Sequence, residues 1–136
     1  MTELILIASG GALGALSRFL LSNFVKIFFN NSLYGTFCIN ILGSFFIGYL
    51  ISLGYAKNIS ENLIKYFLII GFLGSFTTFS AFSIESVSLI ESKKYSLLII
   101  YVSSSIFFCI LAAYIGMSLN KFWLSLLLFQ KMLIQD

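Results

Sequence analysis

Long apolar runs separated by short polar clusters dominate this chain. Residues 4–25 form the first run, interrupted only by Arg18. The second, 27–56, carries no charge and is longer than one bilayer crossing, so Asn30, Asn31 and Ser32 are expected to form the turn before it. Residues 63–88 follow, with Lys65 near the start and Glu85 near the end, and 95–120 close the series uncharged. A crossing helix needs about 20 apolar residues. The pattern therefore predicts an all-α membrane protein with four transmembrane helices and short connections. The remaining segment, 121–136, holds only a short apolar run, 122–130, too short to span. It is expected to be an interfacial tail, with Trp123 at headgroup depth. The division is thus 1–120, a four-helix transmembrane domain, and 121–136, a short tail.

Polar positions inside the runs carry the candidate chemistry, because a polar group in hydrocarbon needs a partner or a cavity. In the first run Gly10 and Gly14, and Gly11 and Ala15, are spaced by four, which suits close helix packing. Arg18 has two open readings, snorkelling to an interface or binding an anion or carboxylate. In the second run Asn40 offers either an interhelical hydrogen bond or two N–H donors facing a pathway, with Gly43 and Ser44 leaving room on its face. The third run clusters Gly74, Ser75, Thr77 and Thr78 near its middle. This is the expected site of a helix break near mid-membrane. A break frees carbonyls for a substitute partner such as a cation, whereas an intact helix would bond its hydroxyls back to the preceding turn. Phe79 and Phe82 share a face three residues apart. They fit lipid or core packing, or a pair of positive ring edges facing an anion. In the fourth run Tyr101, Ser105 and Cys109 form a one-faced stripe, read as packing or as a line of donors.

Composition narrows the function classes. Hydrophobic residues make up 60% and charged residues 10%, and there are 16 Phe and no His or Pro. Without His the commonest metal ligand and general base are missing, and no nucleophile–base pair is visible, so an enzyme is not expected. A net charge of +3 without a basic cluster argues against a nucleic-acid partner. Cys38 and Cys109 lie inside apolar runs and do not suggest a disulfide framework. No cleavable signal peptide is expected, since Thr2 and Glu3 precede the first run in place of a basic segment. For four spans, Lys57, Lys65, Lys121 and Lys131 fall on one side and Lys26, Lys93, Lys94 and Arg18 on or toward the other, four against four. The positive-inside rule therefore gives no orientation. Either a few charges scatter evenly, or copies insert both ways and pair antiparallel.

Three blocks resemble the small four-helix fluoride channels of microbes, the Fluc or CrcB family. They are Gly-x-x-Gly-Ala-x-x-Arg-Phe at 11–19, Gly-Thr-x-x-x-Asn-x-x-Gly-Ser-Phe at 35–45, and Gly-x-x-Gly-x-x-Thr-Thr-Phe-Ser-x-Phe at 71–82. The third block is the most specific, and the match extends over most of the chain. The resemblance implies an antiparallel dual-topology homodimer in the bacterial inner membrane, with two pores that export fluoride passively and relieve its toxicity. It further implies a structural sodium ion at the dimer interface, held by the backbone carbonyls of Gly74 and Thr77. Pore or fluoride-binding roles fall on Asn40, Phe79, Phe82, Thr78, Ser80, Tyr101, Ser105, Arg18 and Glu85. Departures from the family pattern are Ser75 in place of glycine, Ala81 where threonine is common, and Cys109 where Ser or Thr is common. The competing class is a small four-helix proton-coupled drug exporter. That class places a carboxylate mid-helix in the first run, where this chain has none. A non-transporting membrane subunit is the third class.

Overall fold

The computed structural model describes residues 1–54 and 62–133. Four helical spans are long and apolar enough to cross a membrane, as the hydropathy pattern predicts, and the protein is a multi-pass membrane protein. Helix α1 is Thr2–Phe29 and α2 is Ser32–Gly54. The third span is composite: a π-helix Leu63–Leu73, a short α3 at Gly74–Phe76, and α4 at Phe79–Glu91. Helix α5 is Tyr95–Leu133. Its backbone stays helical through Asn120, so the expected tail helix continues α5 without an intervening turn. The connection between the second and third spans, with Lys57, lies outside the described residues.

Local chemistry explains the helix ends. Glu3 in the first turn of α1 and Lys26 in its last turn both complement the helix dipole. Asn30 then turns into the left-handed region at φ 50°, and its N–H returns to the Lys26 carbonyl. The Asn31 side-chain oxygen accepts from the Leu33 N–H at 3.0 Å and starts α2, so the Asn30–Ser32 turn forms where expected. After α4, Lys93 takes φ 57°, its N–H reaches the Ile90 carbonyl, and the Lys94 N–H reaches the Leu89 carbonyl. That pair of bonds is a Schellman closure with lysine at the position glycine usually holds.

Two helix pairs make the bundle. Helix α1 lies along the π-helix and α3, and α2 lies along α5. The pairs meet where α2 touches α1 and where α4 touches α2 and α5. Glycines set the close approaches. A Cβ at Gly10 would land on the Phe67 carbonyl oxygen, and one at Gly14 on the Phe72 carbonyl oxygen. The expected small-residue face of α1 thus packs against backbone. Ile39, Leu73 and Phe76 form the enclosed centre, with Leu21, Ile47, Leu50 and Phe72 packed around them.

The third span is interrupted where the sequence predicts. Thr77 has φ −72° and ψ 154°, and Thr78 has φ −147° and ψ 112°, both extended. Thr78 then acts as the N-cap of α4, its Oγ1 accepting from the Ala81 N–H at 3.2 Å. The span as a whole bends only slightly. The π-helical pitch before the break was not foreshadowed by the apolar pattern. Such wide turns are rare and concentrate at functional sites.

Candidate ion pathway at the broken helix

Asn40 bridges the break. Its Oδ1 accepts from the Thr78 N–H at 2.8 Å, and its Nδ2 donates to the Thr78 carbonyl at 3.1 Å. The side-chain amide therefore pairs with both backbone groups of one residue, replacing the bonds that an unbroken helix would supply. Only one of the two Nδ2 hydrogens is used this way. Gly43, one turn along α2, makes the arrangement possible, since a Cβ there would fall on the Thr77 Cγ2 atom.

The same redirection bears on the carbonyls of Gly74 and Thr77. In a continuous helix Gly74 would accept from the Thr78 N–H and Thr77 from the Ala81 N–H. Those donors instead serve Asn40 Oδ1 and Thr78 Oγ1. The two carbonyls named by the family resemblance are thus among the four, at residues 74–77, that lose their helical donors at the break. Gly74 is exposed on the protomer, and a Cβ there would meet only the Ile69 carbonyl oxygen, at 3.6 Å. Backbone carbonyl oxygens that have lost their helical donors are ligands of the kind a hard monovalent cation takes.

On one side of the break lies a cavity of about 280 Å³, lined by Asn40, Ser44, Thr77, Thr78, Phe79, Phe82, Ser105 and Cys109, with Ile47 and Ile106. Hydroxyl and amide groups together with phenyl rings give it mixed character. Phe79 and Phe82 lie 5.5 Å apart between ring centroids, and Phe82 lies 5.3 Å from the Tyr101 ring. Phe79 is 78% exposed on the single protomer, so its ring projects beyond the helices that hold it. Ser105 is buried, and its Oγ has no hydrogen-bond partner among the described residues.

On the other side, a cleft of about 500 Å³ gathers Arg18, Ser22, Asn23, Thr36, Thr78 and Ser80. Thr78 lines both spaces and shares a 3.1 Å hydrogen bond with Ser80 Oγ. Arg18 stands in this cleft beside hydroxyl and amide groups. Glu85 joins three helices, accepting from Thr36 Oγ1 at 2.9 Å and from the Tyr101 hydroxyl at 2.7 Å.

The candidate residues therefore fall into three linked groups. Asn40, Thr78, Phe79, Phe82 and Ser105 share the cavity, Arg18 and Ser80 share the cleft with Thr78, and Glu85 and Tyr101 form a tie between them. Sequence reasoning gave no site role to Thr36, Ser44, Ser22 or Asn23. A signal existed for the first two: Thr36, Asn40 and Ser44 are four apart and form a stripe on α2 matching that of Tyr101, Ser105 and Cys109 on α5. No comparable signal marked Asn23.

Comparison with known proteins agrees with this geometry. A family model described as CrcB-like protein, Camphor Resistance (CrcB), matches residues 5–117. Relatives named Fluoride-specific ion channel FluC include one from Magnetococcus marinus, 39% identical over 116 residues, covering 85% of this chain and 94% of its own. One from Campylobacter fetus is 42% identical over 125 residues, covering 90% of this chain and 93% of its own. A Bacillus cereus relative named Fluoride-specific ion channel FluC 2 is 41% identical over 121 residues, covering 88% and 98%. A family match across nearly all of the membrane region, with relatives 39–42% identical over most of the chain, places this chain in the CrcB family.

Proposed function

We propose that this protein is a fluoride-selective channel of the bacterial inner membrane that lets fluoride leave the cell passively and so relieves its toxicity. The observation that carries the reading is the cavity beside the broken helix, lined by Asn40, Phe79, Phe82 and Ser105, whose buried hydroxyl has no partner among the described residues. The relatives named as fluoride-specific channels supply the ion.

Fluoride is small, strongly hydrated and a strong hydrogen-bond acceptor. Its water must be replaced by donors that hold it weakly enough for release. The free N–H of Asn40, the Ser105 and Thr78 hydroxyls and the positive edges of Phe79 and Phe82 form such a graded set. None carries a full positive charge that would trap the anion. A negative cell interior drives the anion outward by about 2.3 kcal/mol per 100 mV.

The working unit is an antiparallel homodimer with two pores. The even division of Lys and Arg supports it, as does the exposed Phe79 ring beside the cavity. A sodium ion at the interface would be held by the Gly74 and Thr77 carbonyls, offsetting their lost helical donors and adding positive potential near the path. Native mass spectrometry from detergent is expected to report two chains with one sodium, and the melting temperature is expected to rise with NaCl but not with N-methylglucamine chloride. A monomer, or equal melting in both salts, argues against the assembly.

In liposomes monitored with ion-selective electrodes, the protein is expected to release fluoride and retain chloride. Phe79→Ile and Phe82→Ile are each expected to slow release about 100-fold or more, equivalent to roughly 2.7 kcal/mol in the barrier. Equal chloride release, or unchanged fluoride release in both variants, would sink the proposal. The drug-exporter reading is not favoured. Helix α1 has no mid-span carboxylate, and both oxygens of Glu85 are engaged by Thr36 and Tyr101.

A further inference from the structure

Cys109 is a thiol in the wall of the same cavity, one helical turn beyond Ser105 on the inward stripe of α5. The cavity's other wall brings Ser44 and Asn40 from α2 and the two phenyl rings from α4. Cys109 has no disulfide partner and is partly exposed. The other cysteine, Cys38, does not line this space.

Ser105 stands out in this wall as a buried hydroxyl without a partner among the described residues. Three other serines of α5 bond to the preceding turn: Ser103 donates to the Ile99 carbonyl at 2.6 Å, Ser104 to the Tyr101 carbonyl at 3.2 Å, and Ser118 to the Tyr114 carbonyl at 2.8 Å. Ser105 is only 7% exposed yet makes no such bond. A buried hydroxyl left unpaired loses about 1–3 kcal/mol unless something else accepts from it. Ser105 and Cys109 line the same cavity one helical turn apart, so an occupant that passes the one residue also passes the other.

We propose that Cys109 is a modification site on the ion path, and that its reaction with a small neutral thiol-specific electrophile closes the pore reversibly. The inference rests on the channel reading above for its flux readout. The cavity of about 280 Å³ is large enough for several waters, each taking about 30 Å³ in the liquid. A small reagent therefore fits, and the group it leaves behind occupies space the ion needs. With methyl methanethiosulfonate, the Cys109 thiolate attacks the sulfenyl sulfur. A new S–S bond forms to the methylthio group, the sulfenyl–sulfonyl bond breaks, methanesulfinate leaves with the electron pair, and the thiol proton passes to water. A methylthio group then stands in the cavity that Cys109 shares with Ser44 and Asn40. Dithiothreitol removes it by disulfide exchange.

The test uses the full-length protein in liposomes, treated with methyl methanethiosulfonate and then with dithiothreitol. Fluoride efflux is read by electrode, and adducts are located by peptide mass analysis. Wild type is expected to gain one methylthio group on Cys109, to lose efflux by about tenfold or more as the narrow path is filled, and to recover with dithiothreitol. Cys38→Ser is expected to respond in the same way. Cys109→Ser is expected to keep its own untreated rate, whatever that rate is, after the reagent. Two outcomes overturn the proposal: full labelling of Cys109 with efflux unchanged, or no labelling of Cys109 in the folded protein when the unfolded protein labels readily. Both are read on wild type and do not depend on a variant folding. Absence of efflux before any reagent overturns the channel reading, and the proposal with it. That result is distinct from the other two, which leave untreated efflux intact.

Discussion

Asn40→Ala is expected to reduce fluoride efflux about 100-fold and to destabilise the protein by about 2–4 kcal/mol. The alanine would leave the N–H and the carbonyl of Thr78 without the amide that satisfies both. Each buried backbone group so abandoned loses about 1–3 kcal/mol, and the bilayer offers no water to replace the bond. The effect on flux follows because Thr78 caps α4, and α4 carries Phe79 and Phe82. Once Thr78 is free to move, the rings lose their place in the cavity wall. Asn40→Asp separates the two effects. The aspartate keeps an acceptor for the Thr78 N–H but loses the donor to the Thr78 carbonyl, and it puts a negative charge beside an anion path. Its efflux is expected to fall at least as far as that of the alanine variant, with a smaller drop in melting temperature. Thermal melts in detergent beside electrode efflux provide the check, and wild-type values of both in Asn40→Ala would refute the bridging role.

Gly14→Val is expected to be the most damaging single substitution in the packing of the bundle, costing about 3 kcal/mol or more and preventing recovery of folded protein. Its Cβ would fall on the Phe72 carbonyl oxygen, with the Phe72 carbonyl carbon at 2.9 Å. These are backbone atoms of the π-helix and cannot rotate aside. Helix α1 would have to lift away from the third span, carrying Arg18 out of its cleft. Gly11→Ala provides the internal comparison. Its Cβ would meet the Ser75 Oγ at 3.2 Å, a hydroxyl that can turn, so its cost is expected to stay under about 1 kcal/mol. Yield and melting temperature of the two variants side by side test the argument. Equal behaviour would show that the close approach of α1 to the third span does not limit stability.

Much of the candidate site was legible because polar residues in an apolar span stand out. Asn40, the Thr77–Thr78 break, and the Tyr101–Ser105–Cys109 stripe were each visible as groups that hydrocarbon would not tolerate alone. Partner identity was not visible. Two readings of Asn40 were open from sequence, and the structure shows the interhelical hydrogen bond, made to both backbone groups of Thr78. Arg18 and Glu85 looked like members of one path, yet Arg18 lies in the cleft on the far side of Thr78, and Glu85 is tied to hydroxyls from two other helices. Such pairings join residues 16 to 49 positions apart, which no local pattern encodes.

The chain's pattern by itself determined four membrane crossings, because about 20 apolar residues in a row admit no other stable placement. It also determined where the third crossing must fail, because glycine and hydroxyl residues cluster there without a competing helix former. Only the tertiary structure decided how the break is closed. The fold steers the Thr78 and Ala81 N–H groups to side-chain oxygens and sets Phe79 and Phe82 of α4 in a cavity wall. Sequence specifies that a backbone ladder is broken. The helix brought alongside decides which groups take up the broken ends.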